Sequence, residues 1–263
     1  MSNGSTREQL RMIHAFLVSG QTKIDDYLFV ESKNPTNRVD FHEFLHSIIL
    51  DDRRVFHEED RGRFMNVFDS YSGAGASHFT TLRILSHLTA LGQHGDLAPS
   101  DYVGQDVLFS VFEPLGIPQK SFRGHLARMI KHGLLMPESQ NTEQISWEDP
   151  IALTKCGHFY NATLYYCFPY VAAMAPDTQI SDQEIVSDIA AEVQQHAQMP
   201  KMPIAVRLRI AGRFISYLET EEQRELRGAV ARHKDLGRVQ FMPNVRAEFE
   251  HVRAAVSGKR SPY

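Results

Sequence analysis

The chain of 263 residues carries 28 Lys and Arg against 32 Asp and Glu, with 42% hydrophobic and 23% charged residues. This length suits two small domains or one with helical additions, and the composition excludes a disordered chain. No apolar run approaches the roughly 18 residues of a membrane span, the first residues lack the regions of a signal peptide, and a pI near 6.3 excludes wholesale basic coating of DNA.

The N-terminal stretch reads as short helices. Ser5 or Thr6 caps the first, with Leu10, Ile13 and Leu17 as its apolar face and Gly20 as its stop. Thr22 opens a second with Ile24, Tyr27 and Leu28 on one side, and Lys33 to Thr36 around Pro35 breaks it. Asp40 starts a third, with Phe41, Phe44, Leu45, Ile48 and Ile49 making its apolar face. Asp51 to Arg63 is charge-rich and is expected to loop out before Phe64 to Phe68. Ser70 to Ser77, holding Gly73 and Gly75, serves as a linker, so an N-terminal helical region is expected over 1–77.

From 78 onward the pattern is more regular. Leu82, Ile84, Leu85 and Leu88 predict a helix over Thr80 to Leu91, and Val107, Leu108 and Phe112 a second over Tyr102 to Leu115. Gly116-Ile117-Pro118 interrupts the chain, with Pro118 at a first helical position. A third helix follows to His132 on Phe122, Leu126, Met129 and Ile130, and Gly133 ends it. Leu134 to Met136 and Ile145 to Leu153 read as two strands around a hairpin tip, and Gly157 to Phe168 as another helix.

Helix, helix, turn, helix, hairpin, helix is the winged helix-turn-helix order. The run Phe122-Arg-Gly-His-Leu-Ala-Arg-Met-Ile-Lys-His-Gly-Leu-Leu135, followed by Ile151-Ala-Leu-Thr-Lys-Cys-Gly157, resembles the recognition helix, wing and leu-thr-x-x-gly turn of winged-helix proteins. The resemblance covers 78–168. A fainter one takes in His42 to Arg54, Asn66-Val-Phe68 and His78 to Leu85, which look like the helical and winged-helix region after the nucleotide-binding domain of some bacterial P-loop ATPases. No Gly-x-x-x-x-Gly-Lys-Ser/Thr is present, and Gly73-Ala-Gly-Ala lacks the phosphate-contacting lysine, so nucleotide binding is not carried over.

The rest, 169–263, reads as a C-terminal helical region. Ser181-Asp-Gln-Glu184 has the form of a capping box, opening a helix with Ile185, Ile189 and Val193. Met199 to Pro203 breaks it. Ile204 to Leu218 forms an apolar helix carrying Arg207, Arg209 and Arg213; a further helix opens near Thr220, runs to about Leu236 and stops at Gly237, and Val245 to Val256 forms the last. Residues 201–263 hold 13 basic and 7 acidic residues, a net of +6, leaving −10 for 1–200. That asymmetry would suit an anionic partner at the C-terminal end, but the plainer reading, solvated helix faces, is preferred.

Three groups of residues in the sequence carry possible chemistry. His42-Glu43-Phe44-Leu45-His46 matches the zincin motif, in which two histidines one turn apart share a zinc and the glutamate activates its water; His57, Glu58 or Glu59 would have to complete the site. Asp40-x-x-Glu43 reads better as an N-terminal cap, so no metal and no catalytic residue is expected there. Asp51-Asp52 and Glu58-Glu59-Asp60 could attract a cation but read as solvated loops. Cys156 and His158 point about 200° apart on a helix and form no thiol–base pair, and with Cys167 the two cysteines are expected reduced and buried.

The helix from Pro118 to His132 is the main candidate site. Lys120, Arg123, Arg128 and Lys131 give it four basic residues and no acid, and Ser121 and His125 add hydrogen-bonding groups. Such a helix suits a DNA major groove, where arginine reads guanine and lysine holds phosphate. The hairpin tip opposes this, with Glu138, Glu143, Glu148 and Asp149 and no Lys or Arg from Leu134 through Thr154. The expectation is a mainly α protein with a small two-stranded β wing, cytoplasmic and bacterial, without cofactor and non-enzymatic. It binds double-stranded DNA in a regulatory role; the alternative is a protein-interaction module of a larger P-loop ATPase-type assembly.

Overall fold

The computed structural model describes residues 6–19, 41–50, 55–56, 64–70, 77–142, 146–199, 201–228 and 239–258. These form helices α1 (Thr6–Val18), α2 (Phe41–Leu50), α3 (Thr80–Ala90), α4 (Gln105–Phe112), α5 (Gln119–Lys131), α6 (Lys155–Ala162), α7 (Phe168–Met174), α8 (Gln183–Gln195), α9 (Ile204–Arg227) and α10 (Met242–Gly258). A single two-stranded antiparallel sheet, β1 (Leu135–Pro137) with β2 (Ile151–Leu153), completes the regular structure of the described residues. The protein is mainly helical with a small hairpin, as its periodicity implies.

The chain divides into two compact units that interleave in sequence. Unit 1 takes 58–165 and 216–243; unit 2 takes 2–57, 166–215 and 244–263.

In unit 1 the packing of α5 follows from its spacing. Phe122, Leu126, Met129 and Ile130 are each at most 1% exposed, and burial of side chains of this size stabilises by roughly 1.5–3 kcal/mol apiece. Phe109 and Phe112 of α4 pack on Phe122, with ring centroids 5.4 and 5.3 Å away. After α5 the chain turns at Gly133, whose φ of +70° lies in the left-handed region where a side chain is strained. It enters β1, pairing Leu135 with Leu153, Met136 with Ala152 and Pro137 with Ile151. Val103 adds a third backbone to this ladder: its N–H donates to the Ile151 carbonyl and its own carbonyl accepts from the Ile151 N–H, both at 2.9 Å.

Thr154 locks the hairpin to α6. Its hydroxyl donates to the carbonyl of Gly133 at 2.6 Å and accepts from the Gly157 N–H at 3.1 Å, capping the helix. A Cβ at Gly157 would lie 2.3 Å from the Leu134 carbonyl oxygen, so only glycine lets α6 approach β1 this closely.

The C-terminal contribution to unit 1 is chemical as well as apolar. Arg83 is 1% exposed, pairs with Glu225 at 3.0 Å, and lies 6.0 and 5.7 Å from the ring centroids of Phe79 and Phe241. Glu222 accepts from the N–H groups of Phe241 and Met242, at 2.6 and 3.2 Å, at the start of α10. His78 bridges the Phe68 carbonyl (2.7 Å) and the Tyr217 hydroxyl (2.9 Å).

Several expected boundaries and faces differ. In α1, Leu10, Ile13 and Leu17 are 62%, 50% and 46% exposed, while Ala15 and Phe16 are buried, Phe16 packing 5.4 Å from the Phe44 ring of α2. The apolar stripe of α1 therefore points outward. Val107, expected in the core, is 59% exposed because α4 turns Leu108 and Phe112 inward instead. Pro118 is the N-cap of α5, one residue before its expected place. Asp182, not Ser181, caps α8, accepting from the N–H groups of Glu184 and Ile185. The helix break near Thr220 does not occur, since α9 runs unbroken to Arg227. The helix proposed over 22–28, the break at 33–36, most of the charged stretch at 51–63 and the stop at Gly237 lie outside the described residues.

Candidate interaction surface on helix α5

Thirteen residues of α5 present three sides rather than two. The apolar side is buried as above. A second side carries Ser121, His125, Arg128 and, just past the helix, His132, and a third carries Lys120, Arg123, Ala127 and Lys131, all exposed. Spacings of three and four residues generate both rows.

The six residues proposed to meet DNA are therefore split. Lys120, Arg123 and Lys131 stand on the exposed side and Ser121 is half-buried. His125 is fully buried, its Nδ1 3.2 Å from the Thr81 hydroxyl of α3. Burial, and then the neighbouring Arg128 charge, push its pKa down to about 4, so the ring is neutral at pH 7. Arg128 is 13% exposed and pairs with Asp69, itself 16% exposed, at 3.2 Å. These two residues leave the candidate surface. Spacing alone places Arg128 off the apolar stripe; the acid on the buried 64–70 segment then holds it there.

Arg123 is occupied as well. Its guanidinium lies 4.2 Å from the ring centroid of Trp147 on the hairpin tip, a cation–π contact, and Trp147 meets Phe109 edge-on at 6.3 Å. Gln105 ties the same tip to α4, its amide donating to the carbonyls of Ser146 (2.9 Å) and Asp149 (2.7 Å). The Asp149 carboxylate accepts from the backbone N–H and the hydroxyl of Ser139, and Glu138 and Glu148 are exposed. Burial, then the charges of Glu138, Asp101 and Asp149, raise the Tyr102 phenol above its usual range. Glu143 lies outside the described residues.

The other chemical candidates are dispersed. His42 pairs with Glu248 at 3.1 Å while His46 is 4% exposed in the interior of unit 2. Among the described residues no three His, Cys, Asp or Glu side chains are placed to share a metal ion; His57, Glu58 and Glu59 lie outside them. Burial raises the Cys156 thiol, and burial followed by the Glu248 charge pushes Cys167 up to about 12, so neither is a thiolate at neutral pH. The His158 ring meets His94 edge-on at 5.9 Å. An open apolar cavity of about 340 Å³ in unit 2, walled by Ile180, Val186, Ile189 and Val193, has no titratable residue among the described residues that line it.

Sequence reasoning missed Trp147 and Asp69, the residues that occupy the two arginines. Trp147, the single tryptophan, was a visible signal; Asp69 had none, because its pairing is non-local. No helix of the described residues is long and apolar enough to cross a membrane. The chain matches no family model, no curated protein and no solved structure.

Proposed function

We propose that unit 1 is a winged-helix module that acts through protein contact, as an interaction or regulatory part of a larger P-loop ATPase-type assembly. The winged-helix reading is supported by the order α3, α4, α5, hairpin, α6, by the Val103 addition to the sheet, and by the Thr154-x-x-Gly157 turn. The observation that carries the protein-contact reading is the state of the two arginines. Arg128 is held by Asp69 and Arg123 lies on Trp147, beside a hairpin tip that exposes Glu138 and Glu148. A groove-binding helix needs its arginines available and its wing free of like charge with phosphate.

The exposed row Lys120, Arg123 and Lys131, on a helix without an acid, favours DNA as the second reading. Fluorescence anisotropy with a random 20-base-pair duplex at low salt separates them. The expected result is negligible binding. Salt-dependent binding that a Lys120→Glu/Lys131→Glu variant abolishes would overturn the protein-contact reading. Affinity purification from the native cells is expected to recover a P-loop ATPase.

A further inference from the structure

In unit 2, helix α8 is tied down through its acidic side and turns its apolar side to a cavity. Asp188 pairs with Arg213 of α9 at 3.0 Å, and Glu192 with Arg209 at 2.7 Å. Val186, Ala190, Val193 and Ala197 recur every three or four residues on the other side of the helix. With Ile189 they form one wall of the cavity of about 340 Å³, which Pro176 and Ile180, in the segment after α7, line as well. Ile189 is 4% exposed, but Val186 is 37% exposed, and Ala190 and Ala197 are exposed too. The apolar row of α8 thus stands partly in water although the described chain shapes a cavity against it.

The length, width and lining of the cavity limit what fits. From Val186 to Ala197 the row spans roughly 16 Å at about 1.5 Å per residue. A volume of about 340 Å³ spread over that length gives a mean cross-section of about 20 Å², the width of one hydrocarbon chain. A helix, about 10–12 Å across with its side chains, is too wide to lie in it. An extended peptide is slimmer, but each of its residues brings an N–H and a C=O that need partners. The described lining offers few: the Thr178 hydroxyl donates to the Met174 carbonyl at 2.8 Å, and the Gln194 amide stands at the exposed edge. A compact ring system leaves most of the length unfilled, and a lipid with two chains is too broad. We propose that this cavity binds the single unbranched alkyl chain of a fatty acid, whose carboxylate stays in water because no titratable residue among the described lining meets it. The site is independent of the winged-helix reading, which concerns unit 1.

The test is calorimetric titration of the full chain with sodium octanoate, decanoate, dodecanoate and tetradecanoate, each below its critical micelle concentration. Saturable binding of one molecule per chain is expected, tightening about two- to fourfold per added methylene. The gain is expected to level off once the chain exceeds roughly 16 Å, about twelve carbons. Ala190→Trp puts a ring into the cavity from an exposed position and is expected to abolish binding with the melting temperature nearly unchanged. Val186→Asp, which sets a charge against the chain, is expected to weaken binding about tenfold or more and decides the matter if Ala190→Trp melts early. Gln195→Trp, exposed on the far side of α8, leaves affinity unchanged. Absence of saturable binding in the wild type overturns the proposal, as does affinity indifferent to chain length, binding kept by folded Ala190→Trp and Val186→Asp, or an equal loss in Gln195→Trp. Adamantane carboxylate binding as tightly as decanoate would mark a compact pocket and overturn it too. So would a wild-type dimer in sedimentation that Ala190→Trp dissociates without any fatty-acid binding, since the face would then belong to a second copy of the chain.

Discussion

His125 and Arg128, one turn apart on α5, show how burial decides what a polar residue can do. An unfolded histidine titrates near 6.5, whereas His125 in the fold takes a proton only near pH 4. Above pH 6.5 both states are neutral and the residue adds no pH dependence. Between 6.5 and about 4 the unfolded chain binds the proton first, so stability falls with falling pH, by roughly 3 kcal/mol in all. His46, shifted in the same direction, adds a loss of the same sign. Urea midpoints at pH 7 and pH 4.5 are expected to separate less in His125→Gln than in wild type; equal separation would show that His125 is not the buried neutral ring described. Arg128 makes a second prediction. Asp69→Asn leaves a largely withdrawn guanidinium without its acid and is expected to cost about 1–3 kcal/mol, most of it recovered in Asp69→Asn/Arg128→Met, where charge and counter-charge leave together. A double variant as unstable as the sum of the singles would remove the ion pair as the cause.

At the scale of elements, the helices with a regular apolar spacing were the legible ones. α3 and α5 declare themselves by that spacing, and Thr154 and Gly157 declare the turn between β2 and α6, because the capping hydroxyl stands three residues before the glycine whose N–H it accepts from. The outward stripe of α1 was not legible: Leu10, Ile13 and Leu17 show that one side is apolar, but only the Phe16–Phe44 packing shows that the other side is the one covered. The continuity of α9 was hidden for a similar reason. Thr220, a usual helix opener, sits in mid-helix with its hydroxyl donating to the Ser216 carbonyl, so its side chain returns to the helix instead of capping a new one. The split of the basic helix depended on Asp69 and Trp147, neither of which is local to α5. The Thr154 turn carries its own test. Thr154→Ala is expected to cost about 0.5–2 kcal/mol through the lost cap. Gly157→Ala is expected to cost more, since its methyl meets the rigid Leu134 backbone rather than a movable side chain. Chemical denaturation ranking the two in the opposite order would show that α6 can shift away from β1.

For the whole molecule, the question is which stretch of chain makes a folding unit. Residues 78–168 include every element of the proposed winged helix, yet their core is closed by residues far along the chain. Arg83 is buried with Glu225 as its acid, His78 reaches Tyr217, and Phe241 stacks on Phe79 with ring centroids 6.0 Å apart. On the other side Asp69 holds Arg128, and the Tyr160 hydroxyl accepts from the Met65 N–H at 3.0 Å. Cutting at 78 and 168 takes away both the acid of Arg83 and the Phe241 ring beside it, and exposes Phe79. Against a typical total stability of about 5–15 kcal/mol, the added loss of the Asp69 and Tyr217 contacts is expected to leave the fragment without a cooperative thermal transition. Its amide proton spectrum should be poorly dispersed where that of the full chain is well dispersed. Adding a peptide of residues 216–243 in trans restores Glu225, Tyr217 and Phe241 together and is expected to recover part of the dispersion. A 78–168 fragment that melts cooperatively within a few degrees of the full chain would show that the C-terminal helices only cover this core and do not complete it.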